Sequence, residues 1–316
     1  MQKKAHLTLN ARPSSNAELA IIVVSYGTRE MTLECLDSVV RETHETSYTV
    51  RIVDNASLDG SAEAIATRFP DFQVMTQHRN LGFAAACNLA VCSANERYLL
   101  FLNPDTVILD GALDRLMAFA RKRAAAGIWG GRTVFADGTL NPTSCWRRPT
   151  LWNLFCSGLA LDSLFPNSSV FRSLGYGGWR RDTERSVDVV SGCFLLIDRF
   201  LWERLDGFAT EFFMYGEDAD LCLRARRLGV RPVVTPDATI VHHGSGTEMD
   251  KVRKMKQVLA AKALLIRRHF SPVARPFGLA LLALRPWLAR KFANAALRGI
   301  WQDIWAFRRQ WLAGEF

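Results

Sequence analysis

Glu217, Asp218 and Asp220 stand within four residues of one another, directly behind the rings of Phe212, Phe213 and Tyr215. Acids beside an aromatic wall describe a cleft that holds ionised groups, where carboxylates can do acid–base work, and not a solvated face. The spacing of Leu221, Ala225 and Leu228 predicts a helix with one buried face, ended by Gly229. Asp218 then falls in the first turn, where backbone N–H groups and the helix dipole stabilise a negative charge. A capping cluster is the competing account, since acids are common in a first helical turn. Two further carboxylates, Asp54 and Asp105, follow apolar runs, and the pair His242-His243 ends another.

The elements that carry these groups read as a parallel α/β sheet. Leu19–Ser25 is a continuous apolar run suited to a strand buried on both faces, closed by Tyr26-Gly27. Met31, Cys35, Ser38 and Val39 keep helical spacing, and Val50–Val53 makes a second strand ending at Asp54-Asn55. Strand, helix and strand in so short a span form a βαβ unit. Ligands bind beyond the carboxyl ends of such strands, where Ser25, Tyr26 and Asp54 fall. Asp54 there can accept a hydrogen bond from a nucleobase imide or a ribose hydroxyl, or else hold a turn. No G-x-G-x-x-G or P-loop occupies the first βα turn, which argues against dinucleotide and ATP sites of the usual kinds.

The strand Arg97–Leu102 runs into Asn103-Pro104-Asp105, and Asp110–Arg123 makes an amphipathic helix. From Thr143 to about Arg185 periodicity is lost in a stretch rich in Trp, Phe, Arg, Gly and Ser. A segment of that length shapes a binding site more often than it lies idle. Arg147, Arg148, Trp152 and Trp179 are its candidates for acceptor contacts, with Tyr215 from the aromatic wall.

The 316 residues are 49% apolar and 22% charged, ordinary for a folded chain. Seven scattered cysteines without a C-x-x-C pair fit neither a disulfide framework nor a zinc site, and a reducing cytoplasm is expected. No apolar run reaches the ~20 residues of a spanning helix, and the first residues lack the core of a signal peptide. The net charge of +9 is unevenly divided: from Lys251 onward fourteen Lys and Arg face two acids, giving +12, and the rest of the chain carries −3. A basic catalytic region that binds nucleic acid is therefore not indicated. Trp287, Trp301, Trp305 and Trp311 lie among these basic groups, the pattern of helices resting on an anionic membrane surface. Helices packed back on the domain, or onto a second copy as a homodimer, are the alternative.

The run GFATEFFMYGEDADLCLRARRLG from Gly207 resembles the acceptor-side motif of inverting family 2 glycosyltransferases, and residues 19–247 are similar to their rhamnosyltransferase-like branch. Asn80, Gly82 and Asn88 resemble that family's N-x-G-F-x-x-x-x-N element, and Asn103-Pro104-Asp105 is a spelling found in the branch. The resemblance implies a GT-A type nucleotide-sugar fold with a mostly parallel central sheet flanked by helices and followed by a basic helical tail. It implies Asp218 as general base with Glu217 its neighbour, Asp54 against the pyrimidine, and Ser25, Tyr26, Asn80, Gly82 and Asn103 around the donor nucleotide. Asp105 and His242 would meet a divalent cation, Mg²⁺ or Mn²⁺, on the diphosphate. Asn103 departs from the two-acid form of that motif, leaving Asp105 as its one charged ligand. The implied donor is dTDP-L-rhamnose, and the implied acceptor a saccharide, free or linked to polyprenyl diphosphate. A UDP-hexose donor and a catalytically silent binding module on the same fold are the alternatives. The expected division is a mobile arm over 1–18, the transferase domain over 19–250 with a nucleotide half at 19–110 and an acceptor half at 127–250, and a membrane-associating tail over 251–316 at the inner face of the plasma membrane.

Overall fold

The computed structural model describes residues 17–172, 174–244 and 251–315. Most of the expected N-terminal arm, residues 1–16, lies outside them. Glu18 belongs to the fold: its N–H donates to the Ser47 carbonyl at 3.1 Å and its carboxylate pairs with Arg121.

The chain opens with β1 (Leu19–Ser25), α1 (Arg29–Glu42), β2 (Tyr48–Asp54), α2 (Ser61–Arg68), β3 (Gln73–Thr76), α3 (Phe83–Val91) and β4 (Tyr98–Leu102). β5 (Thr106–Ile108), α4 (Ala112–Lys122), β6 (Ile128–Val134) and β7 (Leu140–Asn141) follow. The stretch read as irregular contains β8 (Cys145–Trp146), α5 (Leu151–Gly158), α6 (Leu161–Leu164) and β9 (Arg185–Ser186). α5 starts from a capping box, in which Asn153 N–H donates to Thr150 Oγ1 at 3.2 Å and Thr150 N–H to Asn153 Oδ1 at 2.9 Å. Then come β10 (Val189–Val190), β11 (Phe194–Asp198), α7 (Arg199–Arg204), α8 (Glu217–Arg227) and β12 (Val233–His242).

The main sheet runs β3-β2-β1-β4-β11-β6-β12-β5. Six of these eight strands point one way, with β11 and β5 reversed. All seven residues of β1 are buried, and alternation divides them between two cores. Leu19, Ile21 and Val23 meet α1, α2 and α4, while Ala20, Ile22 and Val24 meet the layer of α3, α7 and α8. Each such side chain contributes about 1.5–3 kcal/mol by leaving water. The carboxyl ends of β1, β2, β4, β6 and β12 therefore gather on one edge, and the antiparallel β5 and β11 begin there.

The basic tail forms α9 (Lys251–His269), α10 (Ala274–Phe292), α11 (Ala295–Ala306) and α12 (Arg308–Ala313). These helices have a core of their own, in which Leu259, Ile266, Leu282, Ile304 and Trp311 join Leu154 of α5. Trp311, read as an interfacial ring, is fully buried, and its indole N–H donates to the Ile304 carbonyl at 2.9 Å.

Asp220 explains how the tail is attached. It is 0% exposed and accepts from Arg224 of α8 at 2.7 Å and from Arg268 and His269 of α9 at 3.0 and 2.8 Å. Burial would raise its carboxyl, but His269, Arg224 and Arg268 outweigh burial and bring it down to about 2. Asp220→Ala strips Arg224, Arg268 and His269 of their shared partner and is expected to cost about 3 kcal/mol or more, read as a lowered urea midpoint. A carboxyl depressed on folding contributes in full above its unfolded value near pH ~4 and loses that contribution as pH falls toward 2. The difference between parent and variant should therefore persist at neutral pH and shrink only in strong acid.

Candidate active site

A cavity of about 1400 Å³ opens over the gathered strand ends, lined among others by Tyr26, Asn80, Asn103, Asp105, Tyr215, Glu217, Asp218 and His242. Local geometry at each of these positions follows from what the loops must satisfy.

Asn80 is held by its neighbours. Its Oδ1 accepts from Asn55 Nδ2 at 2.9 Å and from Gly82 N–H at 2.8 Å, while Asn55 Oδ1 takes Leu81 N–H at 2.8 Å. Asn55 was not singled out from sequence, although it directly follows Asp54. Gly82 has φ +80°, and a Cβ there would lie 2.4 Å from the Phe213 carbonyl, which also accepts Phe83 N–H at 2.8 Å. The glycine thus admits the aromatic wall, and its close approach is to protein backbone. Ser25 likewise turns away from the cavity: it is buried, with its hydroxyl 3.0 Å from Thr32 Oγ1 and 3.3 Å from Thr28 Oγ1, tying β1 to α1. Asp54 Oδ2 accepts Ser57 N–H at 3.3 Å, as a turn residue would, yet its Oδ1 is buried with no partner among the described residues. An orphaned carboxylate oxygen at a strand end is costly without a donor to meet it.

Asp105 and His242 face each other across the edge, because the β5–β12 register sets His242 opposite Thr106, the residue after Asp105. Asp105 Oδ2 accepts Gly244 N–H at 3.0 Å, and Oδ1 lies 3.5 Å from His242 Nε2. Behind the ring, Thr143 Oγ1 sits 3.4 Å from Nδ1 and donates its own hydrogen to Asn141 Oδ1 at 2.7 Å. That network assigns the Nδ1 position a hydrogen, so Nε2 and the carboxylate oxygen present two electron pairs toward one another unless a positive charge joins them. A proton on Nε2 supplies such a charge. Burial opposes the charged ring, but Cys193 and Asp105 outweigh it and push His242 up to about 10, and Asp105 is held low in return. A divalent cation also fits this pair. Among the described residues no three His, Cys, Asp or Glu converge, so the remaining ligands would be diphosphate oxygens and water, the habit of Mg²⁺ at nucleotide sites. Asn103 faces the same cavity with a neutral side chain.

The acidic motif enters through a tight turn in which Tyr215 and Gly216 both have positive φ, +69° and +86°. Gly216 precedes α8 without any side-chain cap, so Asp218 is not an N-cap residue. Its Oδ2 accepts Gly192 N–H at 2.9 Å and its Oδ1 accepts Ala219 N–H at 2.7 Å. Burial raises Asp218, and these two backbone donors counter part of the rise. Glu217 is more deeply placed, with Oε2 buried and unpartnered among the described residues, and burial plus the neighbouring Asp218 charge lift it well above the usual carboxylate range. One acid is thus kept neutral and its neighbour is the better anion, a division that suits Asp218 to accepting a proton. Burial also raises Tyr215, which feels both Glu217 and Asp105 and so stands between the two groups of acids.

The other expected residues are placed differently. Arg147 lines the cavity and stacks over Tyr176 at 4.8 Å. Arg148 instead borders a separate hollow of about 300 Å³ with Arg226, Arg227 and Arg231. Trp179 is enclosed by Arg181 and Arg185, 4.8 and 4.9 Å from its ring, and is not among the cavity walls. Leu228, expected on the buried face of α8, is 42% exposed.

Residues 20–205 match the family model described as glycosyl transferase family 2. The N-acetylglucosaminyl-diphospho-decaprenol L-rhamnosyltransferase of Mycobacterium tuberculosis is 28% identical over 239 residues, 71% of this chain and 76% of that protein. Rhamnosyltransferase WbbL of Escherichia coli is 26% identical over 215 residues, 62% of this chain and 76% of WbbL. Among solved structures, the mannosyltransferase PcManGT of Pyrobaculum calidifontis, in complex with GDP-Man and Mn²⁺, superposes with a TM-score of 0.55 at 17% identity, covering 97% of this chain and 86% of that one. The shared architecture is the GT-A fold.

Proposed function

The chain belongs to glycosyl transferase family 2, and from that premise we propose that it transfers L-rhamnose from dTDP-L-rhamnose, with inversion, to a saccharide carried on a polyprenyl diphosphate during cell-surface polysaccharide synthesis. The observation that carries the reading is that Asp218 and the Asp105–His242 pair line one cavity at the carboxyl edge of the sheet. The names of the two relatives support rhamnose as the transferred sugar, and that of the Mycobacterium tuberculosis protein supports an acceptor linked to a polyprenyl diphosphate. Asp218 accepts the proton of the attacking hydroxyl, held in position by the Gly192 and Ala219 N–H groups. Asp54 offers its unpartnered oxygen to the base or ribose, and Tyr26 and Asn80 flank the nucleotide. Asp105 and His242 would hold Mg²⁺ or Mn²⁺, which when bound neutralises charge on the departing diphosphate. The test is nucleoside diphosphate release from dTDP-L-rhamnose, UDP-hexoses and GDP-mannose, with acceptor present and absent. Release from a UDP-hexose alone would replace the donor, and release from none would leave a silent binding module.

The same reading puts the protein at the inner face of the plasma membrane, held peripherally by its tail. No helix among the described residues is long and apolar enough to cross a bilayer. Phe277 and Phe292 are 60% and 76% exposed on α10, beside Arg275 and Lys291. Each basic group near an anionic leaflet is worth about 1 kcal/mol, and the apolar rings add a part that salt does not screen. Full-length protein is expected to sediment with anionic vesicles and not with zwitterionic ones, with partial release in high salt. Phe277→Ser with Phe292→Ser should abolish the salt-resistant fraction. Unchanged sedimentation of that double variant, or a concentration-dependent dimer lost in it, would assign these rings to another role.

A further inference from the structure

The large cavity does not end at the acidic pair. It continues into an arm between α5, α9 and α10, walled by Leu154, Gly158, Leu265, Ile266, Leu281 and Leu282. Gly158 is what lets α5 and α10 close on each other, since a Cβ there would lie 3.1 Å from Leu284 and 3.2 Å from the Leu281 carbonyl. The arm adjoins the reacting groups directly: a Cβ on Gly216, the residue before Glu217, would lie 3.3 Å from Ala261 of α9. Lys262 is the next residue and lines the cavity.

Lys262 is out of keeping with such walls. It makes no hydrogen bond or ion pair with the described residues. The nearby carboxylate, Asp162, is engaged by Arg285 at 3.3 Å. Burial pushes the Lys262 amine down, with Asp162 opposing and Arg285 adding to the fall. Lys262 is half-buried at the junction of these apolar walls with Ser157, Asp162 and Arg285, and with its nearby carboxylate already engaged it gains from an anion arriving there. A free phosphate needs no apolar arm, and a plain hydrocarbon needs no cation, so the occupant must bring both.

We infer that this arm is the seat of the acceptor's anchor: Lys262, flanked by Arg285, takes a phosphate of a diphosphate esterified to a hydrocarbon chain, and the chain lies along Leu154, Leu281 and Leu282. The inference rests on the proposed lipid-linked acceptor and adds where and by which groups the lipid end is held. With the diphosphate at Lys262, one residue from the α9 contact with Gly216, the sugar it carries is directed toward Asp218.

Calorimetric titration of the full-length protein with a short-chain prenyl diphosphate tests it. Inorganic diphosphate and the corresponding prenyl alcohol are the two comparison probes, and dTDP is titrated in parallel. The prenyl diphosphate should bind more tightly than either comparison probe. Lys262→Met, which keeps the length of the side chain, should weaken it about 10- to 100-fold, the scale of a lost charge-assisted hydrogen bond, with dTDP affinity unchanged. Lys262→Arg should restore most of the loss, and thermal melting of both variants reports folding independently. Equal binding of inorganic diphosphate and prenyl diphosphate would reduce the arm to a phosphate site and overturn the inference. So would equal binding of prenyl diphosphate by parent and Lys262→Met. The transferase reading is judged separately by nucleotide release: transfer onto a lipid-linked saccharide that is indifferent to Lys262→Met sinks the anchor seat alone.

Discussion

Asp218→Asn is expected to reduce transfer about 10²–10⁴-fold while donor binding stays near that of the parent chain. The amide preserves shape but cannot receive a proton, and at most one of its two positions can still accept from Gly192 or Ala219 N–H. Thermal melting should accompany the kinetics, so that a repositioned loop is not mistaken for lost base catalysis. Because burial raises the Asp218 carboxyl against the pull of those two donors, the acid limb of kcat/KM should lie above the ordinary aspartate range. The base works only when ionised, so activity falls as pH drops through that limb. Turnover above a few tenths of the parent value would make Asp218 a structural acid and pass the role to Glu217. Asp220 is no longer a candidate, since all its bonds go to Arg224, Arg268 and His269 behind the helix.

Asp105→Ala is expected to lower the rate about 10²–10³-fold, the scale set by loss of one group that stabilises developing charge. It should also weaken donor binding measured with Mn²⁺ present. Two effects need separating, because Asp105 both faces His242 and accepts Gly244 N–H at 3.0 Å. Asp105→Asn retains an acceptor for Gly244 and removes the charge, so a rate as low as that of the alanine variant attributes the loss to charge. Full activity of the parent chain in excess chelator would show that the Asn-Pro-Asp form works without a cation.

Much of the fold was legible because strands buried on both faces write themselves as apolar runs. Leu19–Ser25 and the run before Asn103 could hardly be anything else, and their ends locate the edge where Asp54, Asp105 and His242 stand. Partners across the sheet were not legible. Nothing within the chain's local pattern says that Gly192 N–H would meet Asp218 or that Thr143 would stand behind His242, since both bonds join segments far apart in sequence. Gly82 was expected around the donor nucleotide, and sequence alone does not reveal that the Phe213 backbone closes on it. α5 was hidden by its short length, although Thr150 and Asn153 carry the spacing of a capping box. Trp311 alone misled: in a basic amphipathic helix it looks interfacial until the neighbouring helices bury it. Lys262, a single cation in Ala-Ala-Lys-Ala-Leu-Leu, was the one local signal of the cavity's second arm, and it stands out only once the apolar walls around it are known.

The bonds of Asp220 also determine where this protein can be cut and rejoined. A chimaera that takes its donor half from one relative and its acceptor half from another has a more tolerable seam before α8, since Asp220, Arg224, Arg268 and His269 all stay on one side of it and, of that cluster's ion pairs, only the exposed Arg268–Glu211 pair is divided. A seam at residue 250, where the charge pattern invites one, separates Asp220 and Arg224 from Arg268 and His269. Grafted tails would then have to bring matching residues at all four positions or leave a buried carboxylate unmatched. The four act as one ionic unit, and a substitution at any of them leaves the others without a matched partner.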